Sequence, residues 1–125
     1  MQDVFEVQNH SWNLHEYGER RGCLRRRGED ETRYETLLRE DTEQTQTLIT
    51  DAGLPRATCY TYPFGACSKE SETLLKSMGF RCTLGCEERI NTVTRNPDCL
   101  FELGRFNRPA GQSTESFLHR ALGED

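Results

Sequence analysis

"ATCYTYPFGACSKESETLLKSMGFRCTL", Ala57–Leu84, decides how this chain folds. Its first six residues, through Tyr62, are rich in β-branched and aromatic side chains that suit a pleated strand. Pro63 stops that strand because proline has no N–H to give to the ladder. Ser68 then caps a helix over Lys69–Met78, with Glu70 and Glu72 near the positive end of its dipole and Gly79 closing it. "FRCTL", from Phe80, reads as the next strand. Strand, helix and strand in this order form a βαβ unit with its two strands parallel.

The neighbouring segments extend the same grammar. Upstream, Glu31–Ala52 is helical, with Tyr34, Leu37, Leu38, Asp41, Thr45, Leu48 and Ile49 on one stripe. Gly53 sits where a left-handed cap belongs, with Pro55 just beyond. Before that helix, Val4–Gln8 alternates as a strand and gives way to a polar connection from His10 to about Asp30. Downstream, the irregular "GCEERINTVTRNPD" leads to a fourth strand-like run, "CLFEL" (Cys99–Leu103). Ser113 or Thr114 starts a last helix through Phe117, Leu118 and Leu122. The expected fold class is α/β: an open, mostly parallel sheet with outer helices. Loops leaving the carboxyl ends of parallel strands share one face, where ligands bind. The segments His10–His15 and Pro63–Cys67 should therefore meet.

Composition narrows the classes of function. The chain has 125 residues, 34% of them hydrophobic, and a net charge of −5. That is one domain's length with a thin supply of core residues. The acidic balance argues against a nucleic-acid binder, which needs a concentrated positive face. "ERRGCLRRRGED" is a local exception, and its bracketing acids mark it mainly as a solvated loop edge, with a site for an anionic polymer as the lesser alternative. No apolar run approaches the ~20 residues of a membrane span, and the first residues lack the layout of a signal peptide. The six cysteines read best as free core or loop thiols, since Cys59, Cys82 and Cys99 fall inside apolar runs. Cys82 and Cys86 have C-x3-C spacing, a weak zinc signal without a second pair.

"FEVQNHSWNLH", Phe5–His15, carries the chemistry. His10 and His15 after a strand end would supply two of the three protein ligands that a catalytic zinc requires; surface histidines near a turn are the plainer alternative. Together, "EVQNHSWNLH" and the Pro-aromatic-Gly of "TYPFGACSKESETLLKSMGF" resemble the polysaccharide deacetylases, the metal-dependent carbohydrate esterases with a NodB-type domain. "CEERIN" and "LGRFNRPAGQSTESFLHRAL" are similar to the final part of bacterial members.

The resemblance implies a partial (β/α) barrel and a set of roles. His10 and His15 become ligands of a divalent metal, zinc foremost, and Ser11 holds their loop. The backbone N–H of Phe64 becomes an oxyanion donor, in a turn shaped by Pro63 and Gly65. Trp12, Tyr62 and Arg105 are candidate substrate-binding residues; for Trp12 loop packing, and for Arg105 simple solvation, are the alternatives. The sequence also departs from the family pattern. No "FDD" aspartate motif occurs, four residues separate the histidines where three are usual, and Thr61 stands where the family has arginine. A late Leu-x-x-His-Asp motif is not visible either, and His119 reads as a surface residue.

The expectation is therefore a single domain over 1–125, amino-terminally truncated and lacking its Asp-Asp motif. It binds metal weakly and is inactive alone in hydrolysing N- or O-acetyl groups on an acetylated polysaccharide. Its exposed sheet edge at Val4–Gln8 invites self-association. The implied setting of full-length relatives is the cell surface or exterior. The alternatives are a non-catalytic carbohydrate-binding or interaction protein derived from the same fold, and a thiol or zinc module using Cys82, Cys86 and a histidine.

Overall fold

In the structure, a computed structural model that describes residues 4–123, the order of elements is the one expected from the chain's centre outward. Helix α1 spans Glu31–Asp51, strand β1 Cys59–Thr61, helix α2 Lys69–Ser77, strand β2 Cys82–Leu84 and helix α3 Thr114–Leu122. Strands β1 and β2 pair in parallel, with Cys59 opposite Cys82, Tyr60 opposite Thr83 and Thr61 opposite Leu84. Two single bridges widen the sheet: Asn9 pairs with Tyr60 on one side and Leu103 with Leu84 on the other, both parallel. The result is a small parallel α/β sheet with α1 and α2 packed together.

Helix boundaries follow their caps. The Asp30 carboxylate accepts from Arg33 N–H at 2.9 Å and satisfies one orphan donor of α1. Gly53 leaves α1 with φ of 76°, the left-handed conformation that costs glycine nothing. Ser113 accepts from Ser116 N–H to start α3.

The core lies between α1, α2 and the covered face of the sheet. It consists of Cys23, Tyr34, Leu38, Ile49, Ala57, Tyr60, Tyr62, Leu74, Leu75 and Phe80. The buried stripe of α1 is Tyr34, Leu38, Thr42, Gln46 and Ile49, rotated from the expected one: Leu48 is exposed, and Thr42 and Gln46 take the inward places. Burying Gln46 is possible because its amide meets the backbone of Ala57 twice. Its Nε2 donates to Ala57 O at 2.9 Å and its Oε1 accepts from Ala57 N at 3.1 Å.

Two expected strands are not formed. Gln8 Oε1 accepts from both Thr58 N and Cys59 N, at 2.9 and 2.8 Å, so a side chain occupies the donors a backbone ladder would use and pairing begins only at Asn9. The exposed edge expected along Val4–Gln8 is thus an irregular segment. Likewise, Asn96 accepts from Asp98 N–H and Pro97 follows it, which winds Pro97–Leu100 into a 3-10 turn. Of "CLFEL" only Leu103 pairs, through Leu103 N to Thr83 O and Gly85 N to Leu103 O, each at 2.8 Å.

Candidate functional site

The histidine loop is fixed from beneath by residues of no catalytic character. Asn9, 1% exposed, donates to Thr42 O at 3.1 Å and accepts from Ser11 N–H at 2.9 Å. Asp41 on α1 accepts from Trp12 N–H at 3.0 Å and Asn13 N–H at 2.7 Å. Ser11 Oγ then accepts from Leu14 N–H at 3.2 Å. Burial raises the Asp41 carboxyl above the usual carboxylate range, and the two backbone donors oppose that shift. The sequence places Asp41 on the expected stripe of α1, although the spacing alone could not name its partners.

His10 leaves this loop toward β1, where its Nδ1 lies 2.8 Å from Thr61 O. A carbonyl oxygen only accepts, so Nδ1 carries a proton, which leaves Nε2 as the nitrogen that can offer a lone pair. Ligating histidines are commonly oriented in this way by a carbonyl behind them. The His15 ring is 5.0 Å from the His10 ring, centroid to centroid. It lies 4.3 Å from the Phe64 ring, and the Tyr17 ring is 5.3 Å from Phe64 on a further side. The two loop segments expected to meet are therefore in contact.

The turn after β1 is strained. Phe64 has φ of 57° and ψ of 10°, a left-handed conformation rare for an aromatic residue and costing roughly 1–3 kcal/mol. Gly65 N and Ala66 N are used within the turn, bonding to Tyr62 O at 2.9 Å and Pro63 O at 3.0 Å. The Phe64 N–H has no partner among the described residues. Glycine is required on both flanks. A Cβ on Gly65 would lie 2.7 Å from Cys86 N, and one on Gly22 would lie 2.3 Å from Pro63 O. Arg105 approaches from behind Cys86, donating from Nε to Gly85 O at 2.7 Å and from Nη2 to Cys86 Sγ at 3.3 Å.

The remaining candidates are placed elsewhere. Trp12 is half-exposed and lines a groove along α1 with Arg33, Leu37 and Asp41, to which neither histidine nor Phe64 contributes. Tyr62 is fully buried, stacked edge-on against Tyr60. Alternation along the strand puts it on the helix-covered face, so it is corrected from a sugar contact to a core residue. His119 is exposed on α3.

Whether a metal suits these donors is a matter of distance and number. Two imidazoles on one tetrahedral zinc, with Zn–N of about 2.0–2.1 Å, have centroids roughly 5 Å apart. The observed separation of 5.0 Å fits. The number falls short: among the described residues no group of three or more His, Cys, Asp or Glu side chains is placed to hold an ion. The pair fits as two ligands of three. Cys82 is paired in register with Cys59 across the sheet and Cys86 meets Arg105, and among the described residues neither cysteine belongs to a group of three that could hold an ion. All six thiols are free, and burial pushes those of Cys23, Cys59 and Cys67 up to about 12.

Known proteins share this chain's family profile and its fold. The sequence profile of the polysaccharide deacetylase family matches residues 1–83. The fold resembles the structure of IcaB from Ammonifex degensii, with a TM-score of 0.67 at 21% identity over 94% of this chain and 46% of that one. It also resembles a de-N-acetylase from Aggregatibacter actinomycetemcomitans, with a TM-score of 0.66 at 14% identity over 91% of this chain and 47% of that one. At those identities the likeness is one of fold, and this chain spans about half the length of either structure. No curated protein sequence matches it. No helix among the described residues is long and apolar enough to cross a membrane.

Proposed function

Since this chain belongs to the polysaccharide deacetylase family, we propose that its two converging loops are the histidine and oxyanion share of a site that hydrolyses acetyl groups on a carbohydrate polymer. In this reading the chain corresponds to the carboxyl-terminal part of such a domain. The observation that carries the proposal is the convergence itself: His10, His15 and Phe64 form one run of ring contacts at 5.0 and 4.3 Å, although some fifty residues separate the histidines from Phe64 in sequence.

His10 and His15 would hold a divalent metal such as zinc, whose chemistry when bound is to acidify a water and polarise the acetyl carbonyl. The other roles are this chain's own. Thr61 O keeps the His10 proton on Nδ1, so that Nε2 faces outward as a ligand. The Phe64 N–H, unused within its turn, is the donor available to an oxyanion. A preorganised backbone donor of this kind is commonly worth 10²–10³ in rate. The strain at Phe64 supports the same role, because an outlier conformation held by its surroundings clusters at working sites. Arg105, tied to Cys86 behind the turn, would contribute from the flank.

Among the described residues no further His, Cys, Asp or Glu joins the two histidines in a group of three that could hold an ion, and the sequence has no Phe-Asp-Asp motif to supply a base. We therefore expect weak zinc uptake and little acetate release by these 125 residues alone. Equilibrium dialysis against zinc tests the ligand roles. His10→Ala and His15→Ala should each lower uptake at least tenfold, while Cys82→Ala should leave it unchanged. Uptake insensitive to both histidines, or lost with Cys82, would sink the reading. Acetate released from an acetylated glycan at the rate of an intact hydrolase would overturn the expectation of inactivity.

A further inference from the structure

Two thiols stand apart from the other four. Cys23 meets the Tyr60 hydroxyl, Cys67 donates to Glu102, Cys86 accepts from Arg105 and Cys99 accepts from Thr94 N–H. Cys59 and Cys82 are free and have no such partner among the described residues, and they are register partners on β1 and β2. We propose that Cys59 and Cys82 are a redox site, a dithiol that closes to a reversible disulfide by exchange with a small-molecule disulfide and so clamps β1 to β2. The inference is independent of the acetyl chemistry proposed above.

The geometry follows from the register. Neighbouring strands run about 4.7–4.9 Å apart, which falls inside the range of about 4.4–6.8 Å that a disulfide spans between Cα atoms. Side chains alternate along a strand. Tyr60 and Thr83, the next residues on, are fully buried toward the helices, so Cys59 and Cys82 share the opposite face. Both are only partly buried there, which leaves the sulfurs within reach of a small solute. The bridge needs the two Cβ atoms to lean together by a fraction of an ångström, to about 3.5–4.5 Å.

The exchange balances. Burial, and then the Cys82 thiol beside it, push the Cys59 thiol up to about 12, so the first attack falls to Cys82. Its thiolate attacks one sulfur of glutathione disulfide, forms a mixed disulfide and releases one glutathione. Cys59 then gives up its proton and attacks Cys82 Sγ, which forms the internal bond and expels the second glutathione. Two protein thiols lose two electrons and two protons, and the small disulfide gains them as two thiols.

The clamp lies at the foot of the candidate site. Cys59 O accepts from Asn9 N–H at 3.2 Å, where the histidine loop joins the sheet, and two residues on, Thr61 O holds His10 Nδ1 at 2.8 Å. Each strand is three residues long, so one covalent link is a large addition to their pairing. Oxidation therefore fixes the strand on which the loop hangs.

The test is incubation of the reduced chain with glutathione disulfide, followed by blocking of the remaining thiols, proteolysis and mass spectrometry. The product should be lighter by two hydrogens, carry no glutathione and yield one cross-linked peptide pair joining Cys59 to Cys82. Its melting temperature should rise by at least about 5 °C, because the bridge closes a loop in the unfolded chain, and dithiothreitol should reverse both changes. Cys59→Ser and Cys82→Ser should each abolish the internal bond and the thermal gain, while Cys67→Ser and Cys99→Ser should keep them. Should a serine variant fail to fold, the peptide map of the parent chain decides alone. Absence of an internal bond at any glutathione ratio, a bond joining another pair, or glutathione retained on either cysteine would overturn the site. A Cys59–Cys82 bond without a thermal gain would overturn the clamp.

Discussion

The chain before Leu84 and the chain after it are held by different forces. Every buried apolar side chain among the described residues lies between Cys23 and Phe80, and the family profile matches the same part, residues 1–83. After Leu84 only Gly104 is buried among the described residues, and α3 carries Leu118 and Leu122 on its exposed surface. This second part is attached by polar bonds at the rim. Asn91 exchanges two hydrogen bonds with Gly104 at 2.8 and 2.9 Å, Lys76 reaches Asp98 at 2.9 Å, and Arg120 pairs with Glu88. The candidate site stands on the part that burial stabilises, where a fraction of an ångström is defended by packing. Rim bonds exchanged with water are individually weak.

Truncating one leucine on each side probes that contrast most directly. Leu38 is fully buried between α1 and the sheet, so Leu38→Ala should cost about 2–5 kcal/mol through lost transfer energy and a residual cavity. Leu122→Ala, on a side chain 54% exposed, should stay within about 0.5 kcal/mol. Urea midpoints at constant slope measure both. Similar losses would show that α3 shares the core after all and would dissolve the distinction.

Acid should dismantle the first part at one identifiable place. Glu29 is 6% exposed and pairs with Arg20, 11% exposed; it also accepts from Arg26 N–H at 2.9 Å. The Arg20 hydrogen bonds, ahead of the smaller opposing effect of burial, hold its carboxyl at about 2, against an ordinary 4.5. A folded value below the unfolded one contributes stability that is present above 4.5 and lost as pH falls toward 2. The loss should amount to about 3 kcal/mol at most. Asp41, whose carboxyl is raised, works in the opposite direction. Melting temperatures from pH 6 to pH 2 should therefore fall more steeply for the parent chain than for Glu29→Gln. Parallel curves would remove this ion pair from the account.

Sequence pattern revealed the central βαβ unit, all three helices and the meeting of residues 10–15 with the turn at 63–65, because caps, prolines and strand-end geometry are local signals. It missed whatever a side chain does in place of the backbone. Gln8 intercepts the donors of Thr58 and Cys59 and shortens the first strand to Asn9. Asn96 and Pro97 turn the expected fourth strand into a 3-10 turn. Polar Thr42 and Gln46 lie inward where a hydrophobic count prefers Leu37 and Leu48. In the site, hydropathy could not distinguish the two aromatics of "TYPFG": Tyr62 goes to the core and Phe64 to the histidines. Tyr17, the exposed neighbour of Phe64, drew no notice because nothing in the loop's composition marks it.

Gln46 offers an intermediate effect within the buried part. Gln46→Ala orphans both the N–H and the C=O of Ala57 just before β1, and should cost about 1–3 kcal/mol. Gln46→Glu keeps an acceptor for Ala57 N but places a buried charge against Ala57 O, and should destabilise at least as much at neutral pH. A Glu variant as stable as the parent would mean that the clasp contributes nothing.

The smallest effect expected lies at the rim, and it should be local. Arg120 and Glu88 are 37% and 39% exposed at their side chains, and Arg120 Nη2 also donates to Asn107 O at 2.6 Å. An exposed pair of this kind is typically worth about 0–1 kcal/mol, so Arg120→Ala should scarcely move the urea midpoint. It should instead free the segment it ties down. Amide exchange at residues 107–122 should quicken severalfold while Tyr60, Thr61 and Thr83 in the sheet keep their protection, because opening of α3 draws on no buried contact of the core. Faster exchange in the sheet as well would join the two parts into one cooperative unit, and the site's rigidity would then depend on α3 as much as on α1.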